Sequence, residues 1–119
     1  MTPPYFDPAA RRGGTVETAI RLRAERAFRA SSFGAAIVSD PAWDMLLDLR
    51  IAAGRGMPLR AEKACLELAG WPSRARCIRM LQGQGLVSGS PRETLAPDSM
   101  LRLTPMGMER MDAHLAALG

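Results

Sequence analysis

Punctuation constrains this chain more than any other feature. Gly34, Gly54 with Gly56, Gly70 and Gly85 each follow a stretch that reads as helix or carries an apolar series at helical spacing. Pro41, Pro72 and Pro105 stand where helices would open. Glycine past the last turn and proline at the first position are the usual stop and start signals. The chain is therefore expected to fold as several short helices, and the order of the pieces between them decides the architecture.

The first piece, residues 15–34, reads as a helix with Thr15 as N-cap, Glu17 in the first turn and a narrow apolar stripe of Val16, Ile20, Ala24, Ala27 and Phe28. Such a stripe can dock on its own domain or on a second copy, and dimerisation is the expectation. Residues 1–14, rich in Pro and Gly, read as a flexible arm in which Arg11 and Arg12 are solvated or touch phosphate. Asp40 and Pro41 then give the clearest helix start, ahead of Trp43, Met45, Leu46, Leu47, Leu49 and Ile51, the expected central core helix. After a short extended piece, Arg60 to Ala69 reads as a helix closed by Gly70, and a third helix runs from about residue 72 to 84. Helix, glycine-containing turn, helix is the helix-turn-helix order. "GLVSGS" (85–90) and "SMLRLT" (99–104) have strand character and flank the loop "PRETLAPD", a β-hairpin. Thr104 caps a closing helix whose Met106, Met108, Met111, Leu115 and Leu118 supply apolar surface.

The length of 119 residues suits one domain, and 47% hydrophobic residues can furnish its core. Charge is where the composition becomes informative. The net charge is +4, but residues 68–92 alone carry four arginines (Arg74, Arg76, Arg79, Arg92) and no acid, while residues 93–119 are net −2. Residues 1–34 form a second basic block at net +3. Lys63 is the single lysine among 16 basic residues. A GC-rich genome would produce the same bias; arginine also suits phosphate forks and guanine edges.

Within "WPSRARCIRMLQGQGLV" (71–87), a buried face centred on Ile78 takes in Ala75, Leu81 and Gln82. Ser73, Arg76 and Met80 then point away, with Arg79 and Cys77 at the sides. Arg74 lies nearer the buried flank, with a stem long enough to swing outward. An acid-free arginine face repels itself unless a polyanion neutralises it, and phosphate contacts release counterions. The helix start at Pro72 and Ser73 adds free N–H groups that suit a phosphate.

At "DPAWDMLLDL", "MLQGQGLV" and "LRLTPMGMERM" the chain resembles the MarR-like winged-helix regulators, over about residues 39–115. The fold class expected is mainly α with a small β-hairpin (α+β), a winged helix-turn-helix spanning residues 35–119. The resemblance implies a sequence-specific regulator, with double-stranded DNA as partner and a homodimer as assembly. It places Ser73, Arg74, Arg76 and Arg79 on a recognition helix in the major groove, Arg60 and Lys63 on phosphates, and Arg92 at the wing tip. The tip "SPRETLAPDS" departs from the family's Asp-x-Arg wing and carries Glu93 and Asp98, which argues against minor-groove insertion.

Rival readings are a protein-interaction module, a non-specific nucleoid-associated binder and an enzyme. Against catalysis, no phosphate loop, HExxH or GxSxG occurs, and His114 with Asp112 has the wrong spacing for one helix face. No cofactor and no metal are expected, since Cys65, Cys77 and His114 are too few for a zinc site. Two unpaired cysteines suit a reducing, cytoplasmic setting; burial at core or near-core positions is the expectation for both, against the alternative of an oxidation-sensitive Cys77 whose pKa is lowered by Arg76. No apolar run reaches the ~20 residues of a membrane span, and the start lacks the apolar stretch of a signal peptide. A small-molecule effector is conceivable but not indicated; methionine at helical spacing reads as core.

Overall fold

The computed structural model describes residues 8–33 and 40–118, with the side chains of 15–27 and 40–117. In chain order it comprises α1 (Pro8–Phe33), α2 (Pro41–Gly54), β1 (Leu59–Arg60), a 3₁₀ turn (Ala61–Lys63), α3 (Trp71–Gly83), β2 (Met100–Leu101) and α4 (Pro105–Leu118). The described chain is mainly helical with a two-stranded antiparallel sheet, an α+β arrangement. Residues 1–7 of the expected arm, the stop at Gly34 and the side chains of Arg11, Arg12, Phe28 and Arg29 lie outside what is described.

The punctuation operates as physical chemistry requires. Asp40 accepts a hydrogen bond from the Trp43 amide through Oδ1 at 3.3 Å, and Pro41 takes the first helical position of α2. At its other end the Met57 amide donates to the Ala52 carbonyl and the Gly56 amide to Ala53, both at 3.0 Å. The end of α3 repeats the pattern, Leu86 to Leu81 and Gly85 to Gln82, both at 3.0 Å. These are Schellman closures, and each needs a left-handed residue, supplied by Gly56 at φ +72° and Gly85 at φ +74°.

One expected boundary moves. Helix α1 opens at Pro8, so Thr15 is not its cap: Thr15 sits inside the helix and is buried. Helix α1 docks on its own chain through Thr15, Thr18 and Ala19, which are buried against α2 and α4, whereas Ile20, Ala24 and Ala27 of the expected stripe are exposed.

The expected helix over residues 60–69 is absent. Only Ala61–Lys63 coil, as a 3₁₀ turn, and residues 64–70 follow as turns and bends. The apolar spacing of Ala61, Ala64, Cys65 and Leu68 suits a helix, but tertiary bonds override it. The Cys65 amide donates to Asp48 Oδ2 at 2.9 Å, and the carbonyls of Ala64, Cys65 and Leu68 accept from Arg74. Cys65 is held at φ +50°, a conformation costing a non-glycine residue about 1–2 kcal/mol, which those bonds offset.

The hairpin is also differently built. β2 pairs with β1, in the register Leu59 to Leu101 and Arg60 to Met100. The expected partner strand contributes a single bridge, Val87 to Leu103, framed by the Ser88 amide on the Arg102 carbonyl (2.8 Å) and the Thr104 amide on Leu86 (3.0 Å). Thr104 does cap α4: its Oγ1 accepts from the Gly107 amide at 3.0 Å and donates to the Gly85 carbonyl at 2.6 Å. A Cβ on Gly107 would stand 2.2 Å from the Leu86 carbonyl oxygen, so α4 can only dock there with glycine.

The core lies between these pieces. Met45, Leu47 and Leu49 of α2, Ile78 and Leu81 of α3, Val87, Leu101 and Leu115 are all at most 2% exposed. Arg50 of α2 reaches Asp112 of α4 at 2.5 Å and ties the closing helix down.

Candidate nucleic-acid interface

Helix α3 is amphipathic as its sequence demands. Ile78, Leu81 and Gln82 are buried, while Arg76, Arg79 and Met80 are exposed. Arg76 donates to Ser73 Oγ at 3.4 Å, so the two act as one polar group on the outer face. Arg79 donates to the Pro91 carbonyl at 3.1 Å, and Gln82 Nε2 to the Ser88 carbonyl at 2.9 Å. These two bonds join α3 to the loop of residues 88–98. Gly89, at φ +98°, leaves room for the Gln82 amide, which would meet a Cβ at 2.5 Å.

Arg74 is the main departure from the expected site. It is 9% exposed, and its guanidinium is spent inside the protein. Nε donates to the Ala64 carbonyl at 2.9 Å, and NH2 to Leu68 at 2.8 Å and Cys65 at 3.4 Å. Its stem does not swing outward because the guanidinium makes charge-assisted bonds to the carbonyls of the irregular turn, the shortest to Ala64 and Leu68. It builds the joint beneath α3 and is not on the outer face.

The remaining expected residues are exposed but spread over two surfaces. Arg92 sits in the loop, its amide turned to Ser90 Oγ at 3.2 Å, with the acids Glu93 and Asp98 nearby in sequence. Arg60 lies on β1, not at a helix start, and pairs with Glu62 at 3.3 Å. Lys63 ends the 3₁₀ turn and is exposed. Sequence reasoning missed Arg102. Leu101 and Leu103 are buried and Arg102 is exposed, so strand alternation puts it on the outer face with Met100, diagonal to Arg60.

Part of the charge is compensated within the fold. Arg23, Arg26 and Arg50 are consumed by Asp48 and Glu67, Asp44, and Asp112 respectively. Among the described residues, Arg76, Arg79, Arg92 and Arg102 make no ion pair with a carboxylate, and neither do the exposed Arg21, Arg55, Lys63 and Arg110 elsewhere in the chain. The outer face of α3 is set apart by having no acid of its own, whereas the loop beside it also carries Glu93 and Asp98.

The cysteines are not poised for redox chemistry. Burial pushes the Cys65 thiol up to about 12, helped by the charges of Glu67 and Asp44. Burial also raises Cys77, with Asp40 adding to it, in the direction of the burial expected and opposite to the alternative of a thiol lowered by Arg76. Met111 is buried in the core and Met108 packs against it, whereas Met106 at the start of α4 is exposed. A groove of about 470 Å³ opens instead between α1, α2 and the 57–67 segment, rimmed by Ile20, Met57, Leu66, Arg55 and Lys63.

Comparison of the chain with models of known protein families, with curated proteins and with solved structures gives no match. Among the described residues no helix is long and apolar enough to cross a membrane.

Proposed function

We propose that the protein is a winged-helix DNA-binding regulator of MarR-like type, with α3 as the helix that enters the major groove. The observation that carries the reading is the acid-free outer face of α3, Ser73, Arg76 and Arg79, continuous through the Arg79–Pro91 bond with the loop bearing Arg92. Guanidinium forks without carboxylate partners suit phosphate and guanine edges. The order α2, β1, turn, α3, bridge, loop, β2, α4 supports a winged-helix arrangement, in which the 88–98 loop is the wing and the 61–70 turn replaces the first helix of a helix-turn-helix.

Arg76 and Arg79 take the base-reading role and Ser73 a phosphate. Lys63, Arg60 and Arg102 serve the flanking backbone, and Arg92 takes the wing position. Two copies of the chain binding two half-sites would mirror a palindromic target. One observation favours a second reading as a protein-interaction module: Ile20, Met57 and Leu66 are 40%, 58% and 64% exposed around one groove. Selection from a random duplex library at rising salt separates the two. Salt-sensitive enrichment of a motif supports the regulator. Salt-sensitive binding without a motif supports a nucleoid-type binder. Absence of binding at low salt removes DNA and leaves the protein partner.

A further inference from the structure

We infer that α1 positions α3 through a partly buried polar chain running from Arg23 to Asp48 and Glu67, then through Cys65 and Leu68 to Arg74; only its consequence for duplex affinity rests on the DNA-binding reading. Arg23 Nε donates to Asp48 Oδ1 at 2.6 Å, and its NH2 pairs with Glu67. Asp48 Oδ2 in turn accepts the Cys65 amide at 2.9 Å. The carbonyl of the same residue accepts from Arg74 at 3.4 Å. The Cys65 amide is thus committed toward α1 by way of Asp48 of α2, while its carbonyl is shared between Arg74 of α3 and the Leu68 amide of the turn at 3.1 Å.

The contact is doubled one step on. Glu67 is held by Arg23, and the next residue, Leu68, gives its carbonyl to Arg74 at 2.8 Å. Two arginines, one from each helix, therefore grip neighbouring residues of a turn that has no regular secondary structure of its own. That turn ends at Gly70 (φ +79°), which supplies no side-chain cap to α3. A helix entered through an uncapped glycine has little local definition of direction. The pose of α3 is set instead by Arg74 on a turn that Arg23 holds still. Arg23 touches no residue of the proposed DNA face and is a positioning residue.

The test is Arg23→Gln in the full chain, read by amide hydrogen exchange and by affinity for a mixed-sequence DNA duplex across a salt series. Exchange at Cys65, Cys77 and Ile78 should speed by about tenfold or more, while Met111–Leu115 of α4 stays as in the parent. Duplex affinity should fall about tenfold with an unchanged salt slope, because no phosphate contact is removed. Arg23→Lys should recover part of both effects. Should Arg23→Gln not fold, Arg74→Lys enters the chain from its other end. It should speed exchange at Cys65 and, reciprocally, on α1 around Arg23.

Unchanged exchange at Cys65 and in α3, or equal acceleration throughout α2 and α4, would overturn the inference. A salt slope lowered by about one would turn Arg23 into a direct phosphate contact and overturn it as well. The expected exchange pattern in a parent protein that binds no duplex would leave the positioning role standing and remove the DNA reading.

Discussion

Arg74 and Arg76 are two residues apart on one helix and have opposite fates. Arg76 is exposed, and its removal should change stability by no more than about 0.5 kcal/mol. It should weaken specific duplex binding by about 1–3 kcal/mol and blur base preference. Arg74 is the reverse. Arg74→Ala would strand the carbonyls of Ala64 and Leu68 and cost roughly 2 kcal/mol or more of folding stability. Urea unfolding of the two variants beside duplex titration separates the roles, and a destabilised Arg76→Ala would contradict the assignment. The helical wheel was legible enough to put Arg74 on the inner flank. Its partners were not, because the carbonyls it holds lie six to ten residues upstream in a turn with no sequence signature. Gly107 shows the same limit. The motif reads as a family habit, whereas its cause is the Leu86 carbonyl oxygen 2.2 Å from where a Cβ would stand. Gly107→Ala should destabilise by at least about 1–3 kcal/mol in thermal or urea unfolding, since backbone must shift to admit the methyl group.

At the scale of elements, helices with strong ends were legible and the element without them was not. Asp40 with Pro41, and Gly56 and Gly85, specify α2 and the end of α3 through local bonds alone. Residues 60–69 have helical spacing but no cap, and bonds from Asp48 and Arg74 decide their shape. The start of α1 was misplaced because Gly13 and Gly14 suggest a break that the helix tolerates. Docking of α1 depends on buried charge. Arg26 pairs with Asp44, whose side chain is 5% exposed and whose carboxyl is raised by burial against the pull of that guanidinium. Arg26→Met should cost about 3–5 kcal/mol at neutral pH by leaving that carboxylate unpaired, and less in acid, where Asp44 is neutral. The irregular turn has its own pH signature. Folded Cys65 keeps its proton to about 12, against an ordinary value of 9.0, so the folded state binds more protons between them. Stability tied to this thiol is therefore complete below about pH 9 and declines as pH rises toward 12. Cys65→Ala should flatten the alkaline limb of a stability–pH curve, and an equally steep limb would assign it to other groups.

For the molecule as a whole, what matters is which arginines remain after folding. The sequence shows two basic blocks, and folding draws on them differently: Arg23 and Arg26 of the first are used against α2 and the turn while Arg21 stays exposed, and Arg76, Arg79 and Arg92 of the second keep no acid partner among the described residues. Sequence charge alone cannot make that distinction, because pairing is settled by which helices pack. It leads to a whole-molecule expectation for binding to duplex DNA. With Arg76, Arg79, Arg92, Arg102, Arg60 and Lys63 available, about four to six phosphates should be neutralised per chain. The slope of log affinity against log salt should then be about −4 to −5. Removing the exposed side chain of Lys63 should lower that slope by about one and weaken all sequences alike. Removing Arg76 should leave the slope nearer its parent value and change the ranking of sequences instead, if it lies on bases rather than phosphate. A slope near zero in the parent protein would mean that the uncompensated face meets no polyanion. The exposed Ile20, Met57 and Leu66 would then become the surface to pursue.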